Sequence, residues 1–244
     1  MIAKNEFLPL FERIFRENGL EAYLGAGEVL FALTERMLEV NQHLNLTAIT
    51  EPEAVILRHY ADSLILAPMI PQGAKVADIG SGAGFPALPL AIARPDLTLT
   101  AIDGTGKRVR YMTETAEILG LSNFTALTLR AEDGGRDPAM RGKFDVATAR
   151  AVAALPILSE LCLPYVKVGG LFLAMKSREA EDELVAASRA IRTLGGGDVS
   201  LETRSLTSPA EPEPLTRTIV SVRKLSPTPA QYPRDYGAMK KKGI

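Results

Sequence analysis

The 244-residue sequence is poor in the side chains that build disulfides and metal centres. It has one cysteine, Cys162, and two histidines, His43 and His59. A single cysteine excludes an intrachain disulfide and a cysteine-based zinc site, and it indicates a reducing compartment. The two histidines do not have metal-ligand spacing and there is no third, so we predict no metal site.

Long apolar runs are also missing. No uninterrupted stretch reaches the roughly 18 to 20 residues that a membrane span needs, and the first residues lack the apolar segment of a secretory signal. We therefore expect a cytoplasmic protein without membrane association. The hydrophobic content of 46% is enough for a sizeable core, as one large domain or one domain with an appendage.

Net charge is almost absent from the chain as a whole, since 28 basic and 29 acidic residues sum to −1. That total argues against a nucleic-acid-binding domain, which usually carries a positive surplus. The distribution is uneven, however. Residues 217–244 hold seven basic groups against one acid, a net of +6, whereas residues 1–70 hold five basic groups against ten acids. The basic end indicates an anionic partner, although a solvated terminus without a partner has the same composition.

The hydrophobic pattern divides the chain into three parts. Residues 1–70 have apolar residues at helical spacing, which predicts an N-terminal helical extension. Residues 71–225 alternate strand-like and helical segments, which predicts an α/β domain with a mostly parallel sheet covered by helices on both faces. Residues 226–244 are rich in proline and predict an irregular basic tail that orders on binding.

Seven strands are predicted in the α/β part. The last two are joined by a proline-rich loop and are expected to form a hairpin at one edge of the sheet. The predicted strands cover residues 75–79, 97–103, 124–130, 144–149, 171–175, 199–207 and 215–222.

A glycine-rich segment lies where the first predicted strand turns into a helix, and it reads Asp78-Ile-Gly-Ser-Gly-Ala-Gly-Phe-Pro86. Glycine tolerates positive φ and lets a ligand approach the backbone, and Pro86 suits the first turn of a helix. Ligand-free turns of this kind are common, so the segment alone is weak support for a binding site. Its spacing differs from the dinucleotide fingerprint Gly-x-Gly-x-x-Gly, and Phe85 occupies the sixth position, which favours a cofactor without a pyrophosphate.

Polar residues follow the next three strands. Asp103 ends the second strand, where a carboxylate can accept hydrogen bonds from both hydroxyls of a ribose, or can instead cap the helix that begins near Thr105. Glu132 follows the third strand and Arg150 ends the fourth. Ligands of doubly wound sheets bind outside the carboxyl ends of the strands, so this row predicts a nucleoside cofactor.

The spacing of Asp78, Gly80, Gly82 and Gly84 resembles the first motif of the Rossmann-like class I methyltransferases, whose cofactor S-adenosylmethionine contains adenosine but no phosphate. Five segments in order then resemble one family, RsmG, also called glucose-inhibited division protein B. They are residues 45–49 (Asn-Leu-Thr-Ala-Ile), 58–64 (Arg-His-Tyr-Ala-Asp-Ser-Leu), 78–86, 103–110 and 149–151 (Ala-Arg-Ala). The Gln-Tyr-Pro-Arg of residues 231–234 and the final lysines are similar to RsmG tails as well.

The resemblance implies an activity and a set of residues. The activity is transfer of a methyl group from S-adenosylmethionine to N7 of one guanine of 16S rRNA, guanine 527 in the 530 loop, within the small ribosomal subunit or its assembly intermediate. We also expect a monomer. Implied cofactor contacts are Gly80, Gly82, Phe85, Asp103, Ala131, Glu132 and Arg150. Implied RNA contacts are Arg58, His59, Lys107, Arg108 and Lys176. The glycine-rich Gly104-Thr-Gly106 departs from the family pattern and leaves the loop beside Asp103 unexplained.

The predicted chemistry agrees with the residues available. Guanine N7 has a free lone pair and no proton, so methyl transfer needs alignment rather than a general base. The chain lacks the Asn/Asp-Pro-Pro-aromatic motif of amino-group methyltransferases and the Pro-Cys pair of C5-pyrimidine enzymes. Three alternatives stay open at this stage: a methyltransferase for another RNA, a protein or a small molecule; an NAD-dependent oxidoreductase; and a non-catalytic RNA-binding protein.

The alternative roles of individual basic residues are also open. Arg58 and Asp62 are four residues apart and could simply pair on one helix face. Lys107 and Arg108 could belong to an ordinary solvated helix face, and Cys162, on an apolar helix, is expected to be a buried hydrophobe.

Overall fold

A computed structural model describes residues 3–177, 180–211 and 213–244 of the chain. The N-terminal part is helical, as predicted. Its first helix buries Phe7, Phe11, Ile14 and Phe15 because these residues recur on one face. The α-helices are α1 (Lys4–Glu17), α2 (Gly27–Leu44), α3 (Pro52–Val55) and α4 (Asp62–Leu64). A π-helical segment, Ile56–Ala61, joins α3 to α4, and short 3-10 helices cover Glu21–Ala26 and Ala67–Met69.

A seven-stranded sheet forms the centre of the remaining chain. Its strands are β1 (Lys75–Ile79), β2 (Thr98–Asp103), β3 (Phe124–Thr128), β4 (Phe144–Arg150), β5 (Val166–Lys176), β6 (Gly196–Leu206) and β7 (Leu215–Lys224). The strand order is β3-β2-β1-β4-β5-β7-β6. The first five strands are parallel, and β7 pairs antiparallel with both β5 and β6. This confirms the Rossmann-like, mostly parallel sheet and its edge hairpin.

Helices cover both faces of the sheet. They are α5 (Ala87–Ala93), α6 (Gly106–Ile118), α7 (Ala131–Arg136), α8 (Leu155–Cys162), α9 (Ala180–Thr193) and α10 (Tyr236–Lys241). Successive residues of a strand face opposite sides, so Val76 belongs to one buried cluster and Ala77 to the other. The first cluster also contains the N-terminal helices, and the second contains Cys162, which is fully buried as predicted. None of the helices in the described part of the chain is long and apolar enough to cross a membrane.

The C-terminal segment differs from the prediction of an irregular tail that orders on binding. It contains the short helix α10 and is held against the body of the protein. The Arg141 guanidinium donates hydrogen bonds to the backbone carbonyls of Thr228, Pro229 and Tyr232. Arg234 forms an ion pair with Glu160, which is 1% exposed. The partners lie about 75 to 90 residues apart in sequence, so local composition could not reveal them.

Several of the basic residues that give residues 217–244 their net charge of +6 therefore have partners inside the protein. Arg217 pairs with the buried Asp62, and the Lys224 ammonium is buried against the carbonyls of Leu163 and Leu194 and the hydroxyl of Thr228. Burial lowers the pKa of Lys224 to about 7. Lys240, Lys241 and Lys242 are the exposed basic residues of α10 and its end.

Candidate active site

The carboxyl ends of four neighbouring strands, β3, β2, β1 and β4, bring the predicted site residues together. Two adjoining cavities lie at this edge and share Gly80 and Arg108 in their walls. The larger, which we call the inner cavity, has a volume of about 260 Å³ and is lined by Asp103, Ala131 and Glu132 among others. The second, the outer cavity, has a volume of about 230 Å³ and is lined by Gly82, Phe85, His59 and Arg150 among others. The strand-end row predicted from sequence thus lines two adjoining cavities.

The buried Asp78 holds the glycine loop in place. Its carboxylate is fully buried and accepts hydrogen bonds from the hydroxyls of Ser81 (2.5 Å) and Thr148 (2.9 Å). Burial raises the pKa of Asp78 to about 6, against the lowering effect of these two hydrogen bonds. Ser81 and Thr148 were not predicted as site residues, although Ser81 lies inside the glycine-rich motif.

Gly82 and Gly84 serve different purposes in the loop, and both have positive φ. A Cβ atom on Gly84 would lie 2.5 Å from Leu88 Cδ1, so this position needs glycine for packing. A Cβ atom on Gly82 would meet nothing closer than a backbone oxygen 3.9 Å away. The open space over Gly82 is room that a ligand can use to approach the backbone.

Asp103 connects the glycine loop to the loop after β2. Its Oδ2 accepts a hydrogen bond from the backbone N–H of Gly82 (3.0 Å), and its Oδ1 accepts one from the N–H of Thr105 (2.8 Å). Thr105, rather than Asp103, is the N-cap residue of α6. The carboxylate therefore organises both loops, and its position in the wall of the inner cavity leaves its further lone pairs for a ligand.

Of the two glycines at residues 104 and 106, only Gly104 has a close neighbour. A Cβ atom on Gly104 would lie 3.0 Å from Cδ of the Arg130 side chain, whereas one on Gly106 would lie 3.8 Å from Thr128. Ala131 and Glu132 begin α7 directly after this arginine, and both are half-buried at the inner cavity. The helix that presents them was not predicted, because the Gly134-Gly135 pair within it has low helix propensity.

Arg150 is held at the end of β4 by a buried carboxylate. It donates hydrogen bonds to Asp62 Oδ2 (2.9 Å) and to the backbone carbonyl of Arg58 (3.1 Å), and its guanidinium carbon lies 5.3 Å from the centre of the Phe85 ring. Asp62 is fully buried and also accepts two hydrogen bonds from Arg217. Asp62 was missed as a site residue, although it lies in the motif that contains Arg58 and His59.

Arg58 does not pair with Asp62, which was the simpler of the two interpretations of its spacing. It forms a two-pronged ion pair with Glu211, with both N···O distances 2.7 Å. This pairing lowers the pKa of Glu211. Asp62 instead lies inside the fold, where Arg150 from β4 and Arg217 from β7 pair with it. The (i, i+4) spacing along the helix therefore did not determine the partner of Arg58.

His59 is a neutral, buried wall of the outer cavity. Its Nε2 is 2.9 Å from the hydroxyl of Thr47, while its Nδ1 has no hydrogen-bond partner among the described residues. Burial, assisted by the positive charge of Arg150, lowers the pKa of His59 to about 3. Thr47 is fixed in turn by two hydrogen bonds with the Asn41 side chain. Thr47 was not predicted to be in the site, but it belongs to the motif at residues 45–49.

The three predicted RNA contacts on the sheet domain, Lys107, Arg108 and Lys176, have different surroundings. Lys107 is exposed, and Arg108 is half-buried between the two cavities. Neither has a carboxylate partner within the described residues. The Lys176 ammonium is 2.7 Å from Glu183 and donates to the carbonyl of Ala153, so it is already used inside the fold.

Comparison of the sequence with known proteins points to one family. The sequence profile described as GidB, rRNA small subunit methyltransferase G, matches residues 28–209. The chain is similar to the ribosomal RNA small subunit methyltransferase G of Lactobacillus delbrueckii subsp. bulgaricus, with 46% identity over 86% of this chain and 88% of that protein. Its counterpart from Clostridium beijerinckii is 37% identical over 98% of this chain and 99% of that protein.

Comparison of the fold gives more distant similarities. A SAM-dependent O-methyltransferase from Thermotoga maritima superposes with a TM-score of 0.52 and 15% identity, over 79% of this chain and 72% of that one. TYW2 from M. jannaschii, solved in complex with AdoMet, superposes with a TM-score of 0.53 and 15% identity, over 67% of this chain and 75% of that one. These similarities support the fold, whereas the extent and identity of the sequence matches decide the family. This chain belongs to the rRNA small subunit methyltransferase G family.

Proposed function

We propose that this protein transfers a methyl group from S-adenosylmethionine to N7 of guanine 527 in the 530 loop of 16S rRNA. It would act in the cytoplasm, as a monomer, on the small ribosomal subunit or its assembly intermediate. The proposal depends on one observation: two adjoining cavities lie at the ends of β1 to β4, and the open backbone of Gly82 lies next to the carboxylate of Asp103 between them.

The inner cavity fits the nucleoside part of this cofactor. Asp103 would accept hydrogen bonds from the ribose hydroxyls, with Ala131 and Glu132 beside the base. Gly82 would allow close approach of the amino-acid part, which would lie near Gly80, Phe85 and Arg150. The spacing Gly80-x-Gly82-x-Gly84 and the bulky Phe85 differ from the dinucleotide fingerprint, which disfavours NAD at this site.

The outer cavity would hold the amino-acid part of the cofactor and, at its open side, the guanine acceptor. When bound, S-adenosylmethionine supplies a methyl group made electrophilic by the sulfonium. The outer cavity is lined by neutral or cationic groups, including Thr47, His59, Arg108 and Arg150, and no carboxylate is among its lining residues, all of which the structure describes. Guanine N7 carries no proton, so the residues here need only hold the base in line and exclude water.

The proposed RNA contacts differ in how available their side chains are for binding RNA. Lys107 and Arg108 are available for phosphate contact at the mouth of the cavities. Arg58 and Lys176 would have to exchange their ion pairs with Glu211 and Glu183 for phosphate, and the neutral His59 would contact a base rather than a phosphate.

Methyl transfer to isolated small ribosomal subunits tests the proposal. Subunits from cells that lack the modification would be incubated with the protein and methyl-labelled S-adenosylmethionine, and the modified nucleotide would be mapped and identified by mass spectrometry. We expect 7-methylguanosine at position 527. Label found only at another nucleotide, in ribosomal protein or in small molecules would contradict the proposal. Binding of NAD but not S-adenosylmethionine in a calorimetric titration would contradict the cofactor assignment.

A further inference from the structure

The C-terminal segment takes part in the wall of the inner cavity. Tyr236, the first residue of α10, lines this cavity together with Asp103, Glu132 and Leu161. It is half-buried and packs against the second buried cluster, which includes residues of α8. A residue near the end of the chain thus faces the same space as the proposed ribose ligand.

The segment around Tyr236 is firmly anchored. Glu160 accepts hydrogen bonds from the backbone N–H of Arg234 (2.7 Å) and from its guanidinium (2.6 Å). On the other side, Arg136 donates to the carbonyl of Pro233 (2.9 Å) and to the carboxylate of Asp235 (2.8 Å). All three residues that precede Tyr236 therefore have fixed partners.

The anchors belong to the helices that build the cavity. Arg136 ends α7, the helix that presents Ala131 and Glu132, and Glu160 lies in α8 beside Leu161. Met239, one turn after Tyr236, is 2% exposed and packs α10 against the second buried cluster. The position of the tyrosine ring is therefore tied to the same framework as the cavity wall.

Lys240 supports the ring from its outer side. Its Nζ lies 4.9 Å from the centre of the Tyr236 ring, within the range of a cation–π contact. An aromatic ring that borders a nucleoside-sized cavity can stack on a purine or cover its edge.

We infer that Tyr236 is a cofactor-binding residue that contacts the adenine of S-adenosylmethionine and closes the inner cavity over it. The inference rests on the proposed function, because it requires that cofactor in that cavity. It gives the C-terminal segment a role in cofactor binding in addition to any contact of its lysines with RNA.

Calorimetric titration with S-adenosylhomocysteine tests this role. On the full-length chain, Tyr236→Ala should raise the dissociation constant about tenfold, since it removes the aromatic contact. Tyr236→Phe should keep the affinity of the unmodified chain. Tyr23→Ala is the control, because it removes another half-buried tyrosine, one that is not part of the cavity wall and lies outside the C-terminal segment. Circular dichroism would verify that each variant is folded.

The outcomes separate this inference from the proposed function. If the unmodified chain does not bind S-adenosylhomocysteine, both fail. If it binds and Tyr236→Ala binds equally well or more tightly, only the inference is overturned, and tighter binding would identify the ring as an obstacle to the ligand. Trypsin digestion gives a second measurement, because saturating S-adenosylhomocysteine should slow cleavage after Lys240 and Lys241 in the unmodified chain. Unchanged cleavage would also overturn the inference.

Discussion

The imidazole ring of His59 lies parallel to the phenyl ring of Phe85, with the ring centroids 4.3 Å apart and an angle of 3° between the planes. Arg150 lies near the same phenyl ring, 5.3 Å from its centre. The three side chains come from the helical extension, the glycine loop and the end of β4. The stack therefore connects the N-terminal helices directly to the site, and it keeps the imidazole away from water.

The buried state of His59 should make stability depend on pH. The pKa of His59 is about 3 in the folded chain and 6.5 without the fold, so below pH 6.5 the unfolded chain takes up a proton that the folded chain does not. The free energy of unfolding should fall as the pH decreases through this window. Between pH 7 and pH 5 the contribution of His59 is about 2 kcal/mol.

Urea unfolding at pH 7 and pH 5 measures this contribution. His59→Gln should lose about 2 kcal/mol less stability than the unmodified chain between the two pH values. His43→Gln is the matched control, because His43 is the other histidine of the chain and is exposed. An equal loss in the His59 variant and the unmodified chain would mean that His59 is protonated in the fold.

The Asp62 carboxylate should be a major contributor to stability. Asp62→Asn removes the charge that compensates Arg150 and Arg217 while keeping the size of the side chain, so we expect a loss of about 3 kcal/mol in the free energy of unfolding. Glu211→Gln removes the partner of Arg58. This ion pair is far more exposed than the ion pairs of Asp62, so the substitution should cost at most about 1 kcal/mol. Urea unfolding of both variants at pH 7 compares them, and similar losses would contradict the importance of burial.

Asp103 should govern cofactor affinity. Asp103→Ala leaves the N–H groups of Gly82 and Thr105 without their acceptor and removes the proposed acceptor for the ribose hydroxyls, so we expect at least a tenfold higher dissociation constant for S-adenosylmethionine. Calorimetry gives the constant directly. Asp133→Ala, at an exposed acid of the neighbouring helix, is the control. An unchanged constant in the Asp103 variant would remove this residue from the site.

The exposed lysines at the end of α10 should contribute to RNA affinity through charge alone. The double substitution Lys241→Gln and Lys242→Gln should reduce the salt dependence of binding to small subunits or to a 16S rRNA fragment. The slope of log affinity against log salt should change by roughly 0.7 to 0.9 for each phosphate that the protein no longer neutralises. Cofactor affinity should stay the same. Parallel slopes for the variant and the unmodified chain would show that these lysines do not contact phosphate.

The sheet could be predicted from sequence because its signals are local. The central strands β1, β2 and β4 are short, largely buried runs, and the glycine-rich segment and Asp103 lie at the ends of two of them. The helices α7 and α10 could not be predicted, since a pair of glycines interrupts the first and the second follows a proline-rich segment. Their formation depends on packing against α8 and on the anchors of the C-terminal segment.

The α/β fold, the row of polar residues at the strand ends and the family resemblance follow from the sequence alone, because periodicity and motif spacing act over a few residues at a time. Which charges are paired can be read only from the folded chain. It pairs Arg58 with Glu211, Arg150 and Arg217 with Asp62, and Arg234 with Glu160. These partners are 74 to 155 residues apart in sequence. Charge pairing depends on distance in space, and the folded chain alone sets that distance.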